Sequence, residues 1–248
     1  MQYRKFGNTG MMISALGFGC MRFPENQLED GSWEVNQEKT TEMLMRAYEL
    51  GVNFFDTADT YGLGESERTL AQGLGSHRKD VVIASKFGVR TGNGKTVYDN
   101  SPGYMRQALE DSLRRLNTDY IDIYQFHNPA FCPKPGDGSG LYEAMLEARE
   151  KGMIRFIGFT NHRLALAEEA VRSGLYDTLQ FPFSYLASEK EEALVRLCKE
   201  HDVGFICMKA LSGGLITHSD IAYAFLDQYP VVPIWGIQKE SELDEFLA

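Results

Sequence analysis

The chain has 248 residues, 43% of them hydrophobic, and 25 Lys+Arg against 35 Asp+Glu give a formal net charge of −10. That composition supports a sizeable apolar core, and it excludes a disordered tail, a collagen-like repeat and a small disulfide scaffold. The acidic balance speaks against a nucleic-acid groove, and the four cysteines (Cys20, Cys132, Cys198, Cys207) show neither metal-ligand spacing nor a paired framework. No apolar run approaches the ~18 residues of a membrane span. Met1-Gln2-Tyr3-Arg4-Lys5 lacks the apolar stretch of a signal peptide, so a cytoplasmic protein with no membrane partner is expected.

Residues 2–14 read as a β-hairpin turned at Asn8-Thr9-Gly10. Short apolar runs then alternate with amphipathic segments. The runs fall at 15–18, 53–56, 81–86, 121–127, 154–160, 179–181, 204–208 and 232–235. The segments fall near 37–50, 64–74, 103–116, 141–150, 164–173, 188–200, 220–228 and 241–247. In the third segment Met105, Leu109, Leu113 and Leu116 follow helical spacing. Strands that are apolar on both faces and alternate with helices predict a parallel sheet, and eight such units in a chain of this length predict a (β/α)8 TIM barrel. Residues 1–248 are read as one barrel domain with 1–14 as its hairpin. The longest links follow strands, at 19–36, 87–102, 128–140 and 209–219, which places the functional loops at the C-terminal ends of the strands.

Ionisable residues end three neighbouring strands there. Asp56 closes Val52-Asn53-Phe54-Phe55, Lys86 closes Val81-Val82-Ile83-Ala84-Ser85, and His127 closes Ile121-Asp122-Ile123-Tyr124-Gln125-Phe126. Tyr61 follows Asp56 by five residues. Singly, each has an ordinary structural role, as a helix cap, an outward-snorkelling amine or a packed ring. Together at one rim they describe proton chemistry. Asp56 supplies the counter-charge a desolvated lysine needs. A unit charge 4 Å away at an effective dielectric of 20 is worth about 4 kcal/mol, so Lys86 is expected to lower the Tyr61 phenol by roughly 3 pKa units before desolvation is subtracted. Such a phenol hands a proton to a developing alkoxide, and His127 hydrogen-bonds the same oxygen.

The run Gly51-Val52-Asn53-Phe54-Phe55-Asp56-Thr57-Ala58-Asp59-Thr60-Tyr61-Gly62, then Gly64-Glu65-Ser66-Glu67, resembles the aldo-keto reductases. So do Lys86, His127-Asn128-Pro129, Gly158-Phe159-Thr160-Asn161, Gln180 and Leu16-Gly17-Phe18-Gly19, which together cover nearly the whole chain. The resemblance implies an NAD(P)H-dependent reductase of aldehydes or ketones with Asp56, Tyr61, Lys86 and His127 as its catalytic tetrad. It places Thr160, Asn161 and Gln180 at the nicotinamide carboxamide, and Met208 where the family often has an aromatic against the ring. The loop Lys209-Ala210-Leu211-Ser212-Gly213-Gly214 is expected to face the pyrophosphate, with Lys209, Leu211 and Gly213 contributing. Gln238, Lys239, Glu242 and Glu245 are expected at the adenosine end. The family at large implies NADP(H), whereas Glu242, where NADP-preferring relatives often carry a base, keeps NAD(H) open as the alternative. Met21, Arg22, Phe87 and Phe131 are expected to line the substrate pocket, with Phe23 and Trp235 nearby.

The resemblance also makes the C-terminus short relative to the family. No iron–sulfur cysteines of the kind one bacterial subset carries are present, and an open pocket is expected. The partner is expected to be a small carbonyl compound; the sequence does not speak to oligomeric state. Two alternatives remain: a non-catalytic nicotinamide-nucleotide-binding redox sensor or regulatory subunit on the same fold, and a barrel hydrolase or lyase using Lys86 as a Schiff-base nucleophile.

Overall fold

In the computed structural model, which describes residues 1–92 and 95–247, β1 (Tyr3–Lys5) pairs antiparallel with β2 (Met12–Ser14), as the hairpin pattern predicts. The barrel then begins with β3 (Gly17–Gly19), followed by the excursion β4 (Glu25–Gln27) and β5 (Trp33–Val35) and by α1 (Gln37–Glu49). Next come β6 (Phe54–Asp56), α2 (Glu65–Leu74) and β7 (Val82–Phe87). A second excursion, β8 (Val89–Gly92) and β9 (Lys95–Tyr98), precedes α3 (Pro102–Arg115). The remaining units are β10 (Ile121–His127), α4 (Leu141–Glu150), β11 (Ile154–Thr160), α5 (Leu164–Ser173), β12 (Thr178–Pro182) and α6 (Glu189–Glu200). They end with β13 (Gly204–Met208), α7 (Ser219–Leu226), β14 (Val231–Gly236) and α8 (Glu240–Leu247). Strands β3, β6, β7, β10, β11, β12, β13 and β14 close a parallel barrel.

Local chemistry marks the helix starts. Asn36 accepts the Lys39 N–H at α1, and Ser101 accepts the Tyr104 N–H at α3 with Pro102 as the first helical residue. Ser188 and Glu191 form a reciprocal capping box at α6. The expected elements hold to within one or two residues at most ends. The two antiparallel excursions are the exception, because they lie inside segments read as loops.

Strand alternation sorts side chains into two layers. Phe54, Ala84, Ile123, Ile206 and Val232 point into the barrel and meet Phe6 and Ile13 of the hairpin, which plugs the floor. Phe55, Phe87, Tyr124, Phe126, Phe159, Leu179 and Phe205 belong to the larger core between barrel and helices. The plug needs a glycine: at Gly7, φ is +52°, and a Cβ would lie 2.4 Å from the Gly204 nitrogen. Two residues above the floor, the same alternation turns Asp56, Lys86 and Gln125 inward, with Gln125 level with Lys86 and Asp56 level with Ala84, two residues before Lys86.

Candidate active site

At the C-terminal mouth of the barrel, the Lys86 ammonium lies 2.8 and 2.7 Å from the two Asp56 oxygens and 2.7 Å from the Thr57 carbonyl. It also reaches the Tyr61 hydroxyl at 3.3 Å. Asp56 and Lys86 are buried to 2% and 1% exposure. The Tyr61 and His127 rings sit 6.3 Å apart, nearly perpendicular. The four residues singled out in the sequence therefore converge on one spot, from β6, the loop after it, β7 and β10.

Burial disfavours every charge here, so partners decide the outcome. It raises the Asp56 carboxyl, and Lys86 pulls that back only in part. Burial also works against the Lys86 ammonium, but Asp56 and then Tyr61 more than offset it, and the lysine sits above its ordinary value. A lysine held charged by three oxygens has no free amine, which removes the nucleophile of the lyase alternative. The Tyr61 phenol is raised, contrary to the expectation that it falls. Burial is the largest cause, Lys86 opposes it, and Asp56 raises it further. The ammonium is shared: it lies closer to the carboxylate than to the phenol, and its lowering at Tyr61 does not offset burial. His127 is pushed down to about 3, first by burial and then by Lys86 and His162, so it is neutral at pH 7 and its Nδ1 is buried without a partner.

The tetrad opens into a cleft of about 650 Å³. Met21, Arg22, Thr160, Gln180, Met208, Lys209 and Gln238 line it, as expected, together with Val89, Tyr98, Asn128 and His162, which the sequence reading had not assigned. Several other expectations need correction. Phe87 is fully buried and stacks on Tyr124 at 5.2 Å, because a strand that turns Lys86 inward must turn Phe87 outward. Trp235, outward on β14, packs on Phe246 at 4.1 Å, and Phe23 joins the outer core. Phe131 is exposed on the loop after β10 and does not line the cleft. Asn161 is also absent from the lining, since its amide nitrogen donates to the Pro129 carbonyl (3.0 Å) and its oxygen accepts the Arg163 N–H (2.9 Å). Leu211 and Gly213 lie in and beside the turn Ser212–Gly214, outside the lining. Lys239 and Glu242 sit at the start of α8. There the Glu242 carboxylate accepts the N–H groups of Gln238 (2.8 Å) and Lys239 (3.2 Å), so it caps its own helix. Glu245 accepts the Ser219 hydroxyl and ties α8 to α7.

The donor set fits a nicotinamide nucleotide. A hydroxyl (Thr160) and an amide (Gln180) at the strand ends suit a carboxamide, the Met208 thioether suits the face of a ring, and the exposed Lys209 at the rim suits a phosphate. Gln180 has limited freedom, because its oxygen accepts from Gln125 at 2.8 Å and its nitrogen lies 3.5 Å from Asp56.

Comparison with known proteins gives the family. The Aldo/keto reductase family model matches residues 15–227. The chain belongs to the aldo/keto reductase family. Among its relatives is the "Uncharacterized oxidoreductase YqkF" of Bacillus subtilis, 31% identical over 226 residues, covering 90% of this chain and 69% of the relative. Another is "Aldo-keto reductase yakc [NADP(+)]" of Schizosaccharomyces pombe, 30% identical over 234 residues, covering 92% and 65%. The chain thus spans about two thirds of the length of these relatives. The holo form of aldo-keto reductase AKR11C1 from Bacillus halodurans superposes with a TM-score of 0.84 at 25% identity, covering 100% of this chain and 90% of that one. Members of the family are generally oxidoreductases that use NAD(P)H. Among the described residues no helix is long and apolar enough to cross a membrane, and no cluster of metal-ligating side chains occurs.

Within this reductase fold, one buried network behind the tetrad escaped the sequence reading. Glu67, fully buried on α2, accepts the Ser85 hydroxyl at 2.6 Å and the Arg115 Nε at 2.6 Å. It pins α2 and α3 to the strand that carries Lys86. An acid on the inward face of an amphipathic helix, with the pair Arg114-Arg115 at the end of the next helix, was the available signal.

Proposed function

We propose that the protein reduces an aldehyde or ketone to an alcohol, with Tyr61 as proton donor. The bound NAD(P)H would supply the hydride to the carbonyl carbon. The Tyr61 hydroxyl gives its proton to the carbonyl oxygen as that oxygen gains charge, and the resulting phenolate lies beside the Lys86 ammonium. Asp56 fixes the ammonium, and neutral His127 is placed to donate a hydrogen bond to the same oxygen. A raised phenol is compatible with this role: it stays protonated at neutral pH, and an alkoxide is far more basic than a phenolate. The observation that carries the reading is the Lys86 ammonium bridging Asp56 and Tyr61 at the floor of the cleft.

NADP(H) is the proposed cofactor, supported by the family at large and by the NADP(+) in the name of the Schizosaccharomyces pombe relative. Glu242 keeps NAD(H) as the second reading, although its carboxylate is engaged in capping α8. Thr160, Gln180, Met208, Lys209 and Gln238 would hold the nucleotide, and Met21 and Arg22 would face the substrate. Fluorescence titration with NADPH and NADH, followed by a panel of aldehydes and ketones, tests the proposal. Saturable binding and reduction of at least one carbonyl are expected. Binding without turnover across the panel would instead support the non-catalytic sensor.

A further inference from the structure

We propose that Asp59 and Tyr104 are positioning residues that lock the Tyr61 loop to α3, beside the β8–β9 hairpin of the cleft wall. The assignment rests on Tyr61 being the proton donor. Asp59 lies between Asp56 and Tyr61, and its N–H donates to the Lys86 carbonyl at 3.3 Å. Its Oδ2 accepts the Tyr104 hydroxyl at 3.0 Å. The same hydroxyl is 3.4 Å from the Val89 carbonyl, at the start of the hairpin whose Val89 and Tyr98 line the cleft. The Arg90 guanidinium covers the Tyr104 ring at 5.0 Å and pairs with Asp99 at 3.0 Å. The loop needs an external hold. Tyr61 is followed by Gly62 and Leu63 at φ of 56° and 55°, and the left-handed region is unfavourable for leucine.

A phenol carries one proton, and Tyr104 faces two acceptors. An ionised Asp59 takes that proton in a charge-assisted bond and holds the loop to α3. A protonated Asp59 is a weaker acceptor and releases the hydroxyl toward Val89. The carboxyl is poised between these states: burial pushes it up to about 7, the Tyr104 bond lowers it, Glu67 of α2 raises it, and Arg115 of α3 and the Thr60 N–H lower it. Tyr124 of β10 is a further titratable neighbour, and among the described residues Asp59 Oδ1 is buried without a hydrogen-bond partner. His127, near 3, Tyr61, above its ordinary value, and His162, lowered by burial and by Lys209, also face the cleft, so a limb near pH 7 is assigned to Asp59 by its loss in Asp59→Asn.

The test is the pH profile of kcat/KM for the wild type, Asp59→Asn, Tyr104→Phe and Tyr61→Phe, with hydrogen exchange of the ligand-free proteins alongside. In the wild type, kcat/KM is expected to fall as pH drops through about 7. Asp59→Asn, which keeps an acceptor but no titration, flattens that limb. Tyr104→Phe removes the bond that lowers Asp59, so the limb moves to higher pH, and kcat falls about tenfold with KM little changed. After correction for intrinsic rates, amides of residues 58–63 and 89–92 exchange faster in Tyr104→Phe than in the wild type. A wild-type profile flat across pH 7, a limb that neither variant moves, or exchange that Tyr104→Phe leaves unchanged would overturn the proposal. If Tyr61→Phe keeps most activity, the proton-donor reading fails, and the exchange data then report on the lock alone.

Discussion

Lys86 shows how much a single side chain depends on its partner. An ammonium at 1% exposure is tolerable only because two carboxylate oxygens, a carbonyl and a phenol surround it. Breaking a buried pair from one side typically costs about 3–5 kcal/mol, whereas replacing both charges is far less costly. Lys86→Met is therefore expected to lower the melting temperature markedly and abolish reduction. Asp56→Asn combined with Lys86→Met is expected to recover much of the stability and none of the activity. Thermal melts and initial rates check both, and a double variant no more stable than Lys86→Met would contradict the pairing account. Glu242→Arg acts at the start of α8, outside the cleft lining. It removes a cap, at about 0.5–2 kcal/mol, and is expected to strengthen NADPH binding relative to NADH; equal effects on the two would place Glu242 away from the ribose. The tetrad could be read from sequence because each member ends a strand or follows one. The Tyr61 shift could not: its sign is a balance between burial and a shared ammonium, and only the 2.7, 2.8 and 3.3 Å distances reveal the sharing.

The barrel strands were legible as apolar runs because a parallel strand is covered on both faces. The same uniformity hid which residues face inward, since alternation carries no polar mark until Asp56, Lys86 and Gln125 supply it. Phe87 was misplaced for that reason: taking Lys86 as inward already turned its neighbour outward. The hairpin β8–β9 was missed although Val89-Arg90-Thr91 and Thr96-Val97-Tyr98 are rich in β-branched and aromatic residues. Its length within one long interval masked the signal. Glu67 binds three elements, so Glu67→Ala strands Arg115 and Ser85 together. A loss of about 3–5 kcal/mol in denaturant unfolding is expected, as for other broken buried pairs; a loss below about 1 kcal/mol would show that Arg115 finds water or another partner.

Over the molecule as a whole, two buried groups set opposing responses to pH. His127 titrates near 3 when folded and near 6.5 when unfolded, so the unfolded chain binds the extra proton and stability is lost as pH falls from about 6.5 to 3. Asp59 titrates near 7 when folded and near 3.8 when unfolded, so the folded chain keeps the extra proton and stability is lost as pH rises from about 4 to 7. The two slopes nearly cancel between about pH 4 and 6.5. Relative to the wild type, Asp59→Asn tilts the curve toward stability rising with pH over that interval, and His127→Gln tilts it the opposite way. Melting temperatures taken across the interval decide this, and parallel curves for the two variants would contradict it. The central claim concerns the proton given up at Tyr61. Its most direct test is single-turnover oxidation of enzyme-bound NADPH by a carbonyl substrate, in the wild type and in Tyr61→Phe. A rate lower by about 10²–10⁴ with unchanged cofactor affinity is the expected result, and a rate within a few-fold of wild type would show that another group delivers the proton.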